Sequence, residues 1–237
     1  MRSQDMDAVR DLPIFAGMAD ENFEDLVSVA FLQNFPAQVD LIREGDSADF
    51  LYILVEGSAE LFASNEGRET SMAIVKPISA FILAAVLIDA VCLMSARTLT
   101  ASRLLMIPAE HIRRHFAEDK VFAVAIASEL SKAYRQIVKM HKETKLRPAF
   151  ERLANYLLRL SHENDGASSF ALPADKRTIA ALLSMTPENL SRSFGALNTH
   201  GVRVQGATVH IDDQQALEKF ACPNPLIDNP EIGLGVR

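Results

Sequence analysis

Lysine is missing from the first 70 residues, where 4 arginines face 15 acidic side chains. So acidic a stretch repels polyanions, and any nucleic-acid contact has to come from elsewhere in the chain. Cysteine is scarce too. Cys92 and Cys222 lie far apart without paired-ligand spacing, which excludes a disulfide framework, a paired-cysteine zinc site and an iron–sulfur cluster, and points to a reducing cytoplasm. Long hydrophobic runs are lacking apart from residues 78–94, ISAFILAAVLIDAVCLM. That run has 17 residues against the roughly 20 a span needs, and Asp89 interrupts it, so no membrane span is expected. The opening MRSQDMDAVRDL is acidic and has no apolar core for export. No nucleophile–base pair, metal-ligand spacing or phosphate-binding glycine loop is present, so the chain does not read as an enzyme.

What is present fills two modest domains: 237 residues, 49% hydrophobic and 23% charged. The net charge of −7 is unevenly spread, because residues 132–159 carry 8 lysines and arginines against 2 glutamates. The acidic and basic parts are segregated.

The most informative stretch is TPENLSRSFGALN, Thr186 to Asn198. Thr186 can cap a helix, Pro187 suits its first position, and Leu190, Phe194 and Leu197 recur at helical spacing. Glu188, Ser191 and Arg192 fall at i, i+3 and i+4 on another face, with Asn189 beside them. A shorter helix precedes it, Asp175 to Leu183, with Ile179, Leu182 and Leu183 apolar and small Ala180 where a helix could approach. Helix, tight turn and polar-tipped helix make a helix-turn-helix. Arginine can pair with guanine O6 and N7 while a carboxylate accepts from cytosine N4. Val202 to Val204 and Thr208 to Ile211, joined through Gln205-Gly206, predict a hairpin, the wing. Lys176, Arg177 and Arg203 are candidates for phosphate contacts.

Taken in order, residues 1–32 carry a helical pattern. From Asn34 to about Pro108, short β-prone runs (VDLI, FLYILV, AELF, TSMAIV, MSARTL, SRLLMI) alternate with turns and predict an antiparallel roll or jelly roll. From Ala109 a helical period runs for more than thirty residues. Ala123, Ile126, Leu130, Ala133, Ile137, Met140 and Thr144 form a seam long enough for a parallel homodimer. Pro148 ends it. The expected divisions are a roll (1–117), a dimerisation helix with hinge (118–147), a winged helix-turn-helix (148–221) and a loose tail (222–237). The fold class is α+β.

Three motifs carry a family resemblance over nearly the whole chain: GDxADxLYILxxG from Gly45 to Gly57, RLAxYLLxL from Arg152 to Leu160, and TPENLSR from Thr186 to Arg192. The chain resembles the CRP/FNR superfamily of bacterial transcription regulators, whose roll is of the cyclic-nucleotide-binding type. The resemblance implies a homodimer on double-stranded DNA, with RNA polymerase as a partner. Within it, the Glu188–Ser191–Arg192 face is similar to the reader of TTGA-like palindromes.

The effector positions depart from the cyclic-AMP branch. Its F-G-E-L loop and Arg-Ser pair correspond to Phe81-Ile82-Leu83-Ala84 and roughly Cys92-Leu93, and its Thr-Ser pair to Ile137 and Val138. Ser184 stands in the helix-turn-helix turn where the family often has glycine. With the polar groups gone, a cyclic nucleotide is not expected. Phe81, Ile82, Leu83, Val86, Leu87, Ile88 and Leu93, together with Ile137 and Val138, predict an apolar effector crevice. It suits haem or another hydrophobic ligand, and equally a collapsed, ligand-free core. The chain is similar to the dissimilatory nitrate respiration regulators, a branch that implies nitric oxide sensing through haem. No haem ligand is assigned: His111 and His115 have i, i+4 spacing, but two arginines lie between them and they read as surface histidines. A cyclic-nucleotide-responsive or ligand-independent regulator of the same fold stays open.

Overall fold

A computed structural model describes residues 9–229, and the chain divides into two units between Ser131 and Lys132. The first unit opens with a 3-10 turn (Pro13–Phe15) and α1 (Asp20–Ser28) and holds two antiparallel sheets. One orders its strands as β1 (Phe31–Phe35), β8 (Ser102–Pro108), β3 (Phe50–Glu56) and β6 (Ser79–Phe81). The other runs β2 (Asp40–Ile42), β7 (Ser95–Thr98), β4 (Ala59–Asn65) and β5 (Arg68–Val75). β3 turns into β4 through Gly57 at φ +91°, where an added Cβ would lie 2.5 Å from the Ala101 carbonyl oxygen, so only glycine closes that turn. Leu51, Ile53, Leu54, Leu104, Leu105 and Ile107 fill the core.

This is the expected roll, with two strands more than the pattern predicts: β1, and β6 within the apolar run 78–94. The helical spacing of residues 1–32 runs on through Ala30 and Phe31, but Phe31 opens β1 and pairs with Met106. The apolar run 78–94 splits into β6, the short helix α2 (Leu83–Ile88) and β7's approach, and no described helix is long and apolar enough to cross a membrane.

The expected continuous helix from Ala109 is two helices, α3 (Ala109–Glu118) and α4 (Lys120–Leu146). Asp119 breaks them: it is extended, its Oδ1 accepts from the Val121 and Phe122 amides at 2.9 and 3.0 Å, and Asn22 donates to Oδ2 at 2.7 Å. The expected seam on α4 needs correction as well. Ile126 is fully buried in the roll's own core, with Leu130 packed partly against it, so Ile126 has no surface to offer a second chain. Ala123 is half-buried, whereas Ala133, Ile137, Met140 and Thr144 are exposed, and Tyr134 is 68% exposed beside them.

In the second unit, α5 (Ala149–Glu163) lays Leu153, Ala154, Leu157 and Leu160 into a separate core. β9 (Ser169–Ala171), α6 (Lys176–Leu182), α7 (Pro187–Leu197), β10 (Val202–Gln205), β11 (Thr208–Ile211) and α8 (Gln214–Ala221) close over it. β9 joins the predicted hairpin as a third strand, in the order β10-β11-β9.

Residues 222–229 are not the loose tail expected of them; residues 230–237 of that tail lie outside the described part. The short helix α9 (Pro225–Asp228) buries Ile227 and presents Asp228 to Arg147. Arg147 Nη1 donates to Asp228 Oδ1 at 2.8 Å and Nη2 to Oδ2 at 2.5 Å, with Glu143 and Arg159 completing a mostly buried network.

Burial pushes the Asp228 carboxyl up, but Arg147, the Asn224 amide and Arg159 outweigh it, leaving its pKa below the ordinary 3.8. A lowered carboxylate contributes stability that is complete above its unfolded pKa and is lost as pH falls through the folded one. Asp228→Ala should therefore cost about 2 kcal/mol at neutral pH, since it removes both short charge-assisted bonds and, among the described residues, leaves the buried guanidinium only Glu143, at 3.5 Å, as a carboxylate partner. Urea unfolding followed by a probe in the second unit should show that difference shrinking below the ordinary carboxylate range.

Candidate nucleic-acid interface

Two local capping bonds set the helix pair. Asp175 accepts from the Thr178 amide at 2.7 Å and starts α6; Thr186 Oγ1 accepts from the Asn189 amide at 3.2 Å and starts α7, with Pro187 at its first position. α7 then buries Leu190, Ser193, Phe194 and Leu197 as one stripe, with fully buried Ala180 and Ile179 contributed to the same core from α6. The opposite side is left to solvent: Thr186, Pro187, Glu188, Asn189, Ser191 and Arg192 are all exposed.

That exposed face brings an acceptor, a hydroxyl and a forked donor together at the amino end of one helix. Glu188 is held below the usual carboxylate range by its own backbone amide, then by the Thr186 hydroxyl and the charge of Arg192, so it presents an anion. Lys176 and Arg177 are exposed at the start of α6, and the Lys176 ammonium sits 5.8 Å from the centre of the Phe194 ring. Arg203 differs from the expectation of a readily available cation. Its Nε and Nη2 both bind Asp212, the latter at 2.8 Å, so a phosphate would have to compete with a carboxylate already in place.

The turn between the helices carries the departure noted in the sequence. Ser184 adopts φ +51°, in the left-handed region that glycine tolerates best. Arg152, which the sequence marked only as part of a motif, holds that turn: Nε donates to the Leu183 carbonyl at 2.8 Å and Nη2 to that of Ser184 at 3.0 Å. Sequence patterning has no signal for such a bond, because its partners lie 31 and 32 residues away. At the wing's base Gly201, φ +77°, lies where a Cβ would come 2.6 Å from Asp213 Cβ.

The predicted effector crevice does not assemble. Phe81, Leu83 and Val86 are core residues, Leu87 is half-buried, and Ile88 and Leu93 are 75% and 78% exposed. Ile137 and Val138 are exposed on α4. A cavity of about 320 Å³ does open in the roll, but of the predicted lining only Ile82 borders it, beside Asp46, Asp49, Tyr52 and Cys92. Burial pushes the Cys92 thiol up and away from the thiolate. Arg97, the guanidinium on β7, is committed to Glu60 at 2.8 Å and Glu69 at 3.2 Å. The surface pair His111 and His115 also needs correction: His115 is buried and its Nε2 lies 2.8 Å from Asp25 Oδ2. Among the described residues no group of three or more His, Cys, Asp or Glu could hold a metal ion.

Residues 32–119 match the cyclic nucleotide-binding domain family, and residues 151–220 match the Crp-like helix-turn-helix domain family. No curated protein sequence matches the chain. Among solved structures, FixK2 from Bradyrhizobium japonicum is 20% identical, with 83% of this chain and 99% of that one covered and a TM-score of 0.72. The c-di-GMP-responsive global regulator CLP of Xanthomonas campestris is also 20% identical, covering 82% and 100%, with a TM-score of 0.71. DNR from Pseudomonas aeruginosa is 22% identical, covering 93% and 99%, with a TM-score of 0.51. These likenesses carry the fold.

The strained turn is testable. Ser184 is exposed, so Ser184→Gly removes the left-handed penalty without losing packing, offset in part by the more flexible unfolded chain. The variant should gain about 0.5–1 kcal/mol in chemical denaturation. A loss of stability would show that the serine relieves its own strain.

Proposed function

We propose that this chain, with a cyclic nucleotide-binding domain match followed by a Crp-like helix-turn-helix match, is a CRP/FNR-type transcription regulator, two copies of which read a TTGA-like palindrome in duplex DNA. The observation that carries the reading is the solvent-facing set on α7, in which Glu188, Ser191 and Arg192 project from a capped helix whose other side is buried. In that reading Arg192 pairs with guanine O6 and N7, Glu188 accepts from cytosine N4 and Ser191 meets a thymine. Lys176 and Arg177 contact phosphate and fix register. Dimerisation runs along the exposed part of α4, including Ala133, Ile137, Met140 and Thr144 with Tyr134 beside them, so that two recognition helices face half-sites about one helical turn apart. Recruitment of RNA polymerase follows from the family role.

The signal remains a separate matter, and the roll favours neither ligand considered from the sequence. A cyclic phosphate needs arginine and amide donors, and the β7 arginine is bound to Glu60 and Glu69. Haem does not fit the residues present. The roll cavity has no bordering histidine, burial pushes the other two bordering ligand types, Cys92 and Tyr52, toward their protonated forms, and Asp46 and Asp49 would stand against haem's own carboxylates. Nitric oxide sensing through haem is therefore not part of this reading.

Arg192→Ala should cost about 1–3 kcal/mol of affinity for the palindrome and relax discrimination at the guanine, while Lys176→Ala weakens binding to every sequence alike. Fluorescence anisotropy with specific and scrambled duplexes separates the two. Equal affinity of the Arg192 variant for both duplexes, with no change from the unmodified chain, would refute the reading. Cyclic AMP at millimolar concentration should leave the melting temperature unchanged, and added haem should give no Soret band bound to the protein.

A further inference from the structure

Arg152 is bonded to three main-chain oxygens at once. Besides the Leu183 and Ser184 carbonyls, its Nη1 donates to the Arg147 carbonyl at 2.7 Å. Arg147 lies in the joint between α4 and α5, just after the last residue of the long helix. Leu183 and Ser184 form the end of α6 and the turn that sets the direction of α7. One planar guanidinium therefore spans the joint and the turn.

The chemistry explains why an arginine is needed. Carbonyls at a helix end have no amide partners of their own, and a rigid fork can satisfy several of them in one geometry, which an ammonium on a flexible stem cannot. The joint is also held from its other side, because the Arg147 side chain is fixed by Asp228. A rotation of the Arg147 peptide must then either break its bond to Arg152 or carry the guanidinium, and with it the turn carbonyls, along.

We propose that Arg152 is a positioning residue that couples the backbone at the end of the long helix to the aim of the recognition helix. The proposal rests on the DNA-reading function above. Through this link, the geometry of the joint sets the separation and tilt of the two recognition helices in a dimer. Arg152 touches no base; it determines which half-site spacing the pair accepts.

The test uses the full chain with Arg152→Leu and Arg152→Lys. In the free protein, hydrogen exchange should quicken together at the Arg147 amide and at the Ser184 and Met185 amides in the leucine variant. Faster exchange at the turn alone would overturn the coupling. On duplexes whose half-sites are moved apart or together by one base pair, discrimination between spacings should fall roughly tenfold, a usual size for such coupling, while affinity for a single half-site holds. A parallel loss of half-site affinity would mean that Arg152 merely props the turn, and would overturn the proposal. So would a lysine variant with wild-type spacing preference, since charge alone would then suffice. If the unmodified chain binds no duplex, the DNA reading fails, and the exchange result still decides the coupling.

Discussion

The first amides and last carbonyls of every helix lack partners within it, and each must find one when it is taken out of water. In this chain the parts that matter for function are held where that demand is met. Asp119 accepts two amides and starts the long helix away from α3; Asp175 and Thr186 accept one each and start the two helices of the DNA-binding motif. Arg152 answers the opposite need at a helix C-terminus, by supplying donors to exposed carbonyls. Replacing such a cap by alanine usually costs about 1 kcal/mol. The larger effect is directional, because a cap fixes where the chain enters the helix and so where its side chains point.

That distinction also separates what could be read in the sequence from what could not. Thr186, Pro187 and the Leu190–Phe194–Leu197 stripe were legible because cap, first position and buried face all lie within a dozen residues. Strand β6 was hidden inside the apolar run 78–94, whereas six strands, β2 to β5 with β7 and β8, were legible through their turns. β1 was not, since Ala30 and Phe31 continue a helical spacing and only pairing with β8, some seventy residues on, makes them extended. The break at Asp119 stayed hidden for a similar reason: an aspartate fits a helix's polar face, and its partner Asn22 lies 97 residues earlier. Asp228 reads as part of a Pro- and Asn-rich tail until Arg147, 81 residues away, is seen to take both its oxygens.

The roll shows the limit of reading a binding site from composition. An apolar run around Ile82 can be a pocket wall, a core or a surface, and the chain uses it as all three: Val86 is fully buried, Ile82 borders a cavity, and Ile88 projects into solvent. Ile82 keeps φ +57°, a conformation that disfavours a β-branched residue and that the glycine of related loops would adopt without strain. Meanwhile the nearby opening is bordered by Asp46 and Asp49, a charge that disfavours phosphate.

Charge also accounts for how so acidic a protein could discriminate between DNA sequences. A carboxylate facing the groove is repelled by the surrounding phosphates, so in the proposed reading Glu188 would weaken binding to any duplex that offers it no donor. The penalty is offset only where a cytosine amino group meets it. For this to work the group has to stay ionised against the phosphates' field, which favours protonation. Its position at the start of α7 supplies that: its own amide and the Thr186 hydroxyl hold the anion, and Arg192 one turn on adds an opposite charge. In the proposed reading the arginine thus stabilises the carboxylate that would reject wrong sequences and would itself pair with the right one, while exposed cations such as Lys176 and Arg177 would supply attraction that does not depend on sequence.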